Sequence, residues 1–463
     1  MSTTTAAAAH SGTASTGPRH LGWVGIIRLG LVQTALGAIV VLTTSTINRV
    51  MVVELALPAM LPGALVALHY MVQILRPRLG HGSDVGGRRT PWILGGMLVL
   101  AIGGVGAAAA TALIPQSLPL GILLAVAAFL LVGVGVGAAG TSLLVLLAKR
   151  VEARRRPAAA TIVWMMMIVG FIITAATAGQ LLDPFSLPRL VAVSGGVAVI
   201  ACLLTVVALW GVEGHDAPVA DAAGDARPPM PFRAALAEVW SETEARRFTL
   251  FVFVSMLAYS AQDLILEPFA GTVFGMTPGQ STALAGTQNG GVLLGMILVA
   301  VAGSRVGTLR GWTSGGCIAS ALALVLIAVG GFVDDWPLKA SVFALGMANG
   351  TFAVAAIGSM MGLVARGHES REGVRMGLWG AAQAIAFGLG GFIGTAAIDL
   401  TRALLADPAW AYATVFLLEA ATFVVASWLA IWSAGTHHDR TRTTIDAFGS
   451  APHATPAVAG TTA

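Results

Sequence analysis

The feature that most constrains the fold is a series of apolar segments that covers nearly the whole chain. Twelve of them are close to the ~20 residues that an α-helix needs to cross a bilayer. They are residues 24–47, 54–75, 91–113, 119–147, 159–181, 189–211, 248–271, 283–303, 312–333, 338–364, 376–399 and 409–433. Because a spanning segment must satisfy its own backbone hydrogen bonds, we predict an all-α polytopic membrane protein with twelve transmembrane helices.

The charge content agrees with a membrane protein. Charged residues make up only 10% of the 463 residues, whereas a soluble protein carries about 25%. The pI of about 9.6 could suggest a nucleic-acid partner. The basic residues are scattered over short loops, however, so we expect the lipid bilayer around the chain and no nucleic acid. Cys202 and Cys317 lie in apolar segments without a pairing pattern, so neither a disulfide nor a metal site is expected.

The distribution of Lys and Arg predicts the orientation, because cytoplasmic loops are enriched in both. Suppose that the termini and the loops after even-numbered segments share one side. That side then holds 22 of the 26 Lys and Arg residues, and the other side holds only Arg49, Arg189, Lys339 and Arg402. Both termini are therefore predicted to be cytoplasmic. The expected divisions are a flexible tail (1–20), a six-helix half (21–212), a cytoplasmic linker (213–247), a second six-helix half (248–435) and a flexible tail (436–463).

Two pairs of similar loops indicate an internal repeat. "GSDVGGRRTPW" at 82–92 resembles "GSRVGTLRGW" at 303–312, and "AKRVEAR" at 148–154 resembles "ARGHESR" at 365–371. The starting positions differ by 221 and by 217 residues, in the same order along the chain. An even number of helices per repeat makes the two halves parallel. This is the architecture of the major facilitator superfamily, where the cargo site lies between the halves near the midplane.

The loop after the second segment also resembles the signature loop of that superfamily. The match consists of Gly80, Asp84, Gly87, Arg88 and Arg89. Glycines permit a tight turn at the membrane surface. An acid favours the positive end of a helix, so Asp84 is expected near the start of the eleventh segment, around 375–377. The alternative is a generic basic loop that obeys the positive-inside rule.

Two longer stretches narrow the resemblance to one family. Residues 28–59, which include "NRVMVVEL", and "YSAQDLILEPFAGTVFGM" at 259–276 resemble the PucC/LhaA group of bacteriochlorophyll delivery proteins. The resemblance implies a bacterial inner or intracytoplasmic membrane and (bacterio)chlorophyll or a precursor as cargo. It also implies light-harvesting subunits or a chlorophyll synthase as partners, and no intrinsic cofactor. The short loop "GHGSDVGGRRTPW" is more similar to a third branch, found among bacteriochlorophyll-synthesis genes.

Asp263 and Glu267 stand out within the seventh segment. Four residues apart, they lie on one face of a helix, about one turn from each other. A carboxylate in the hydrocarbon region is costly and is therefore a functional candidate. Asp263 could take up a proton, hold the halves together or bind a polar substituent of a pigment. The structural alternative is that Glu267 and Pro268 end the helix and that Glu267 meets a basic partner.

Four further residues are candidates for the central cavity. His69, beside Tyr70, is a possible axial ligand for the magnesium of a chlorin. The alternatives for His69 are a hydrogen bond to a neighbouring helix and a position facing water. Gln33 in the first segment is a polar cavity candidate, and Glu419 in the twelfth is expected to be a buried, paired polar group.

Arg49, Glu54 and Glu267 are candidates for a gate between the halves. The first and seventh segments end on the same side, where Arg49 is one of four basic residues. We therefore expect Glu267 to pair with Arg49 across the halves, directly or through Glu54 and water. Asp263, one turn deeper, should then face the cavity.

These observations leave two main functional hypotheses. The first is a protein that delivers (bacterio)chlorophyll or assists assembly of photosynthetic complexes, as the family resemblance implies. The second is a proton-coupled exporter of a small amphiphile, with Asp263 as the proton site. An enzyme is disfavoured, because the sequence has no metal cluster, nucleophile motif or phosphate loop.

Overall fold

The computed structural model describes residues 21–73, 88–152, 155–213, 240–303, 305–366 and 372–433, with side chains at all of these except 157, 360–366, 372–377 and 433. These residues form twelve helices. They are α1 (Trp23–Glu54), α2 (Met60–Val72), α3 (Thr90–Leu113), α4 (Leu118–Arg150), α5 (Arg156–Leu182), α6 (Leu187–Leu209), α7 (Thr243–Val273), α8 (Pro278–Ala302), α9 (Leu309–Gly330), α10 (Leu338–Arg366), α11 (Glu372–Leu404) and α12 (Pro408–Ser433).

Eleven of the twelve helices in the described part are long and apolar enough to cross a membrane, and α2 is shorter, with 13 residues. The prediction that the second segment begins at residue 54 was wrong. α1 continues to Glu54, and the chain then turns through Ala56, which has a positive φ of 50°, and Pro58. α2 can therefore begin only at Met60. The chain is a multi-pass membrane protein.

The second part of α1 is not a regular α-helix. It contains two π-helical segments, Leu42–Thr46 and Val50–Glu54, which flank Ile47–Arg49. The hydroxyls of Thr43 and Thr44 donate to the carbonyls of Ile39 and Val40, at 2.8 and 3.0 Å. Such back-bonding competes with the regular helical pattern. π-helical turns are frequent at functional sites, so the second part of α1 is a candidate for a functional role.

The packing of the helices repeats after six. In the first half, α1 packs on α5 and α6, α2 on α4, and α3 on α4 and α6. In the second half, α7 packs on α11 and α12, α8 on α10, and α9 on α10 and α12. The halves meet mainly where α2 packs on α11 and where α5 packs on α8. The two six-helix halves are thus parallel repeats, as the matched loops predicted.

A pair of equivalent arginines shows the repeat at the level of side chains. Arg28 of α1 donates to the carbonyls of Val207 and Trp210 at the end of α6. Arg247 of α7 donates to the carbonyl of Trp432 at the end of α12, at 3.2 Å. Basic side chains satisfy the carbonyls that the last turn of a helix leaves open. Each half therefore ties its first helix to the end of its last helix in the same way.

The two membrane faces differ in the loops that they carry. The loops that follow odd-numbered helices lie opposite the chain termini, and we call this side the distal face. The loops that follow even-numbered helices share the side of the termini, which we call the terminal face. Most of the polar contacts between the halves lie between the centre of the bundle and the distal face.

Candidate functional site

Asp263 lies in the second half of α7 and contacts α8. Its Oδ1 accepts a hydrogen bond from Nε2 of Gln288 in α8, at 3.3 Å. Asp263 is half-buried, whereas Gln262 and Leu264 on either side of it are buried. Its hydrogen-bond partner is neutral, so the carboxyl group can change its protonation state without breaking an ion pair.

Aromatic side chains connect the two halves next to Asp263. The Tyr70 ring of α2 lies 5.3 Å from the Phe387 ring of α11. Phe387 lies 5.8 Å from the ring of Tyr259, which is one turn before Asp263 in α7. We call Tyr70, Phe387 and Tyr259 the aromatic bridge. Ring centroids at these distances are in favourable contact. The structure thus places Tyr70 and Asp263, both predicted from the sequence, in one region between the halves.

Two other candidates for the central cavity, His69 and Gln33, make their hydrogen bonds within the first half. His69 is 2% exposed, and its Nε2 lies 2.9 Å from the side chain of Gln73, the residue that follows α2. This geometry favours a hydrogen-bonded structural role for His69 over magnesium ligation. Gln33 of α1 donates to the Met167 sulfur of α5 at 3.2 Å, and its Oε1 has no partner among the described residues.

Glu419 lies inside the second half and differs from the expected paired group. It is 5% exposed, and neither carboxylate oxygen has a hydrogen-bond partner in the described part of the chain. Phe416 and Phe423, three residues before it and four after it on α12, belong to the second half's apolar core. Glu419 is therefore a buried carboxyl group whose ionised form has no compensating partner in this conformation. No cluster of metal-ligating side chains occurs among the described residues.

Toward the distal face, the second part of α1 forms a polar seam with the other half. Ser45 donates to Glu267, and Thr46 lies 3.0 Å from Thr282, hydroxyl to hydroxyl. Asn48 donates to the carbonyl of Leu264 at 2.6 Å. Three of four consecutive positions in the π-helical region thus contact the second half. The sequence stretch "TSTINR" is polar because it faces the other half and not lipid, and its side chains form hydrogen bonds there.

The contact of Asn48 explains why Pro268 does not end α7. One alternative from the sequence was that Glu267 and Pro268 end the helix, but α7 continues to Val273. Proline lacks the N–H that would bond to the carbonyl four residues earlier, which is that of Leu264. Asn48 from the other half supplies the missing donor. Neighbouring helices commonly satisfy such freed carbonyls within membranes.

Arg49 pairs with Glu54, which we expected to mediate its contact with Glu267, and not with Glu267 directly. Its Nη1 lies 2.5 Å from Oε1 of Glu54, and its Nη2 donates to the Met276 carbonyl at 2.6 Å. No direct ion pair forms between Arg49 and Glu267, which are both within the described chain. Because Val50–Glu54 is π-helical, residues five apart share one face, and Glu54 reaches Arg49 on its own helix. Arg49 still joins the halves, but through a backbone carbonyl.

A cleft of about 700 Å³ opens above this seam. Its lining comes from both halves and consists of Arg49, Val53, Glu54, Asp183, Pro184, Phe185, Gly271, Gly275, Met276, Thr277 and Pro278. Arg49 is 1% exposed, whereas the Glu54 side chain is 34% exposed. Water can therefore reach Glu54 but not most of Arg49. The guanidinium group lies between the cleft and the interior of the protein.

On the terminal face, the start of α3 is held by Glu213. Its Oε1 accepts from the Arg89 N–H and its Oε2 from the Thr90 N–H, at 2.5 and 2.8 Å. Burial raises the pKa of Glu213, but the hydrogen bonds from Thr90 and Arg89 and the Arg89 charge outweigh it, and the pKa is lowered. Arg88 and Arg89 of the loop motif are therefore next to the α3 start. Gly80, Asp84 and Gly87 lie outside the described residues, so the expected position of Asp84 stays a prediction.

We expect the capping role of Glu213 to depend on pH. A carboxylate with a lowered pKa stabilises the fold above its unfolded pKa of about 4.3, and this contribution is lost as the pH falls through the folded pKa. Glu213→Gln should lower stability at pH 7 by about 1 kcal/mol, and the difference should be smaller at pH 4, below the unfolded pKa, and vanish only below the lowered folded pKa. Melting curves in detergent at both pH values would measure it. Glu152→Gln, which removes an exposed pair with Arg155, is the matched control and should change little. An unchanged difference at pH 4 would contradict the prediction.

Several residues of the site were not selected from the sequence. Phe387, Gln288, Ser45 and Thr282 are ordinary residues in apolar helices, and only the packing shows what they contact. Asn48 could have been identified, because a proline in a spanning helix requires a donor for the carbonyl four residues earlier.

Solved structures of two transporters share the fold of this chain. A nucleoside transporter, NupG (D323A mutant), has a TM-score of 0.68 at 14% identity and covers 88% of this chain and 99% of its own. A bacterial homologue of the human lysosomal transporter Spinster, inward-facing and occupied, has a TM-score of 0.64 at 14% identity and covers 91% of this chain and 97% of its own. The chain has the fold of major facilitator superfamily transporters, with two parallel six-helix halves.

The family follows from sequence comparison. The PUCC protein family matches residues 46–433, and this chain belongs to it. A "Bacteriochlorophyll synthase 44.5 kDa chain" of Rhodobacter capsulatus is 54% identical over 413 residues, which is 89% of this chain and 95% of that protein. "Protein PucC" of Rhodovulum sulfidophilum is 30% identical over 81% of this chain and 85% of its own. The family resemblance predicted from the sequence is thus confirmed.

Proposed function

We propose that this protein holds bacteriochlorophyll, or a late precursor, between its two halves and passes it to a synthase or a light-harvesting subunit. The observation that carries the proposal is the aromatic bridge beside Asp263, in a member of the PucC family. Bacteriochlorophyll is a flat, largely apolar macrocycle with carbonyl substituents and a long alkyl ester. Aromatic side chains offer faces for stacking against such a ring.

The polar groups near the aromatic bridge are few, which suits this cargo. Pigment sites are mostly apolar, with a small number of polar groups that fix orientation. Gln288 can donate to a ring carbonyl, and a protonated Asp263 can do the same. The pigment is proposed as cargo and not as a resident cofactor.

The names of the relatives support a role in pigment supply. One relative is named as a bacteriochlorophyll synthase chain and others as PucC. The transporter fold and the PucC family argue for a non-enzymatic membrane protein, so we propose the synthase as a partner and not as the activity of this chain. The short loop after α2, typical of a branch found among bacteriochlorophyll-synthesis genes, agrees with a synthase partner. We further propose a bacterial cytoplasmic or intracytoplasmic membrane and cytoplasmic termini, because 22 of 26 Lys and Arg residues lie on the terminal side.

An absorption spectrum tests the proposal. We expect protein purified in mild detergent from a pigment-making host to carry a near-stoichiometric, red-shifted chlorin band. Tyr259→Leu and Asp263→Leu should each lower the pigment-to-protein ratio several-fold, because they remove the stacking surface and the polar contact. Asp407→Asn, in the loop before α12, is the matched control and should leave the ratio unchanged. Colourless wild-type protein would defeat the proposal.

A second candidate function is proton-coupled export of a small amphiphile. It is favoured by the half-buried Asp263, whose hydrogen-bond partner is neutral. In this case the purified protein would be colourless, and reconstituted vesicles would move protons together with the amphiphile. Asp263→Asn would then abolish the coupling.

A further inference from the structure

The distal ends of α5 and α11 carry a pair of equivalent acids. Asp183 follows α5 directly, and Asp399 lies in the last turns of α11. The two positions differ by 216 residues, close to the spacing of the repeated loops. Each acid contacts the half to which it does not belong.

Asp399 caps the start of α2. Its Oδ1 accepts from the Ala59 N–H at 2.8 Å, and its Oδ2 accepts from the Met60 N–H at 2.7 Å. The N-cap residue of α2, Ala59, has no side-chain hydrogen bond of its own to offer. The carboxylate of the second half thus satisfies two open donors and faces the positive end of the helix.

Asp183 makes the equivalent contact at the start of α8. Its Oδ2 accepts from the Thr277 hydroxyl at 2.9 Å. Thr277 is the N-cap of α8 and accepts in turn from the Gln280 N–H at 3.2 Å. The acid therefore bonds to the capping residue rather than to the backbone.

A glycine in close contact with the facing helix accompanies both contacts, and it follows the same spacing. A Cβ at Gly63 of α2 would lie 2.0 Å from Oγ1 of Thr395, one turn before Asp399. A Cβ at Gly279 of α8 would lie 2.3 Å from the Gly179 carbonyl, one turn before Asp183. Gly63 and Gly279 differ by 216 residues, as do Gly179 and Thr395. The same arrangement thus occurs twice, and each copy consists of a glycine, the helix that packs on it and an acid one turn further along that helix.

We propose that these two units are paired clasps that hold the distal side of the protein closed, and that their release allows the halves to open toward that side. The distal clasps are Asp183 with Thr277, and Asp399 with Ala59 and Met60. Each clasp joins the two halves on the distal side, so the halves can separate there only if both clasps open.

The surroundings of the clasps suit reversible opening. Asp183 is exposed and Asp399 is half-buried, so water can replace the lost partners when the contacts break. The clasp contacts involve one hydroxyl and two N–H groups, without a basic partner. Rupture therefore leaves no buried charge unpaired, in contrast to rupture of a buried ion pair.

Distances between spin labels test the proposal. In a background with Cys202 and Cys317 replaced by alanine, one label pair would sit at Gln116 and Asp334 on distal loops of opposite halves. A second pair would sit at Lys149 and Arg310 on the terminal face. We expect Asp183→Asn and Asp399→Asn each to raise the ratio of distal-open to distal-closed protein roughly tenfold, and the double variant to raise it further. The terminal pair should shorten as the distal pair lengthens.

The matched control is Asp407→Asn. Asp407 is also a distal acid that caps a helix start, but it accepts from Ala409 of its own half, at 2.8 Å. This control should leave both distributions unchanged. An unchanged distal distribution in the double variant would overturn the proposal, and so would lengthening of both label pairs, which indicates general loosening instead of gating.

Discussion

Replacing Asn48 with leucine is expected to destabilise the protein strongly, and replacing Pro268 with alanine in the same chain is expected to recover most of the loss. Asn48→Leu leaves the carbonyl of Leu264 without a donor inside the bilayer, since Pro268 has no N–H. An unsatisfied buried acceptor costs about 1–3 kcal/mol. The Pro268→Ala change would restore the helical N–H to that carbonyl. Unfolding in mixed detergent micelles, followed for the two single variants and the double variant, measures the coupling.

An asparagine in another helix provides the control for this cycle. Asn289 of α8 donates to the Ala285 carbonyl of its own helix, at 2.9 Å. That carbonyl keeps its regular helical partner when Asn289 is replaced, so Asn289→Leu should change stability much less than Asn48→Leu. If Pro268→Ala failed to recover the Asn48→Leu variant, the hydrogen bond to Leu264 would not be the reason that α7 continues through Pro268.

Loss of Arg49 is the second change with a large expected effect. Arg49→Met leaves Glu54 without its ion-pair partner and removes the bond to the Met276 carbonyl. Breaking a buried pair typically costs about 3–5 kcal/mol. The expected loss is at the lower end, because the Glu54 side chain is 34% exposed. Arg49→Lys should recover only part, since an ammonium group cannot serve both acceptors in the same geometry.

Second-site neutralisation distinguishes the two carboxylates near Arg49. Because Glu54 is the ion-pair partner, Glu54→Gln should recover more stability in the Arg49→Met background than Glu267→Gln does. A charge swap between Arg49 and Glu267 should not restore wild-type stability. Unfolding midpoints of the double variants in one detergent give the comparison, and greater recovery by Glu267→Gln would contradict it.

The sequence predicted the large-scale fold because that level depends on local composition. Apolar length indicated the twelve helices, and matched loops indicated the parallel halves. The alternative that α7 ends at Pro268 was wrong, since the local rule for proline takes no account of a donor from another helix. The direct pair of Arg49 with Glu267 was also predicted wrongly; Arg49 pairs with Glu54 instead, because two π-helical segments change which residues share a face of α1.

The candidate site was predictable only in part for a similar physical reason. Asp263 stands out in the sequence because a carboxylate in an apolar segment is costly. Phe387 and Tyr259 do not stand out, because aromatic residues are common in spanning helices. The acids Asp183 and Asp399 lie at helix ends, where acids are ordinary. Their importance depends on which helix start lies opposite, and that is a property of how the halves are arranged.

The contact between Asn48 and the proline-freed carbonyl also bears on the order of biosynthesis. Chains are made and inserted from the N-terminus, so α1 is already in the membrane when α7 leaves the ribosome. The donor, the Asn48 side chain, is therefore in the membrane before the acceptor, the Leu264 carbonyl, is inserted. In a circularly permuted chain that begins with α7, the second half would enter lipid with an exposed carbonyl and no partner. In the natural order of synthesis, Asn48 is present to donate to the Leu264 carbonyl when the turn that contains Pro268 is inserted.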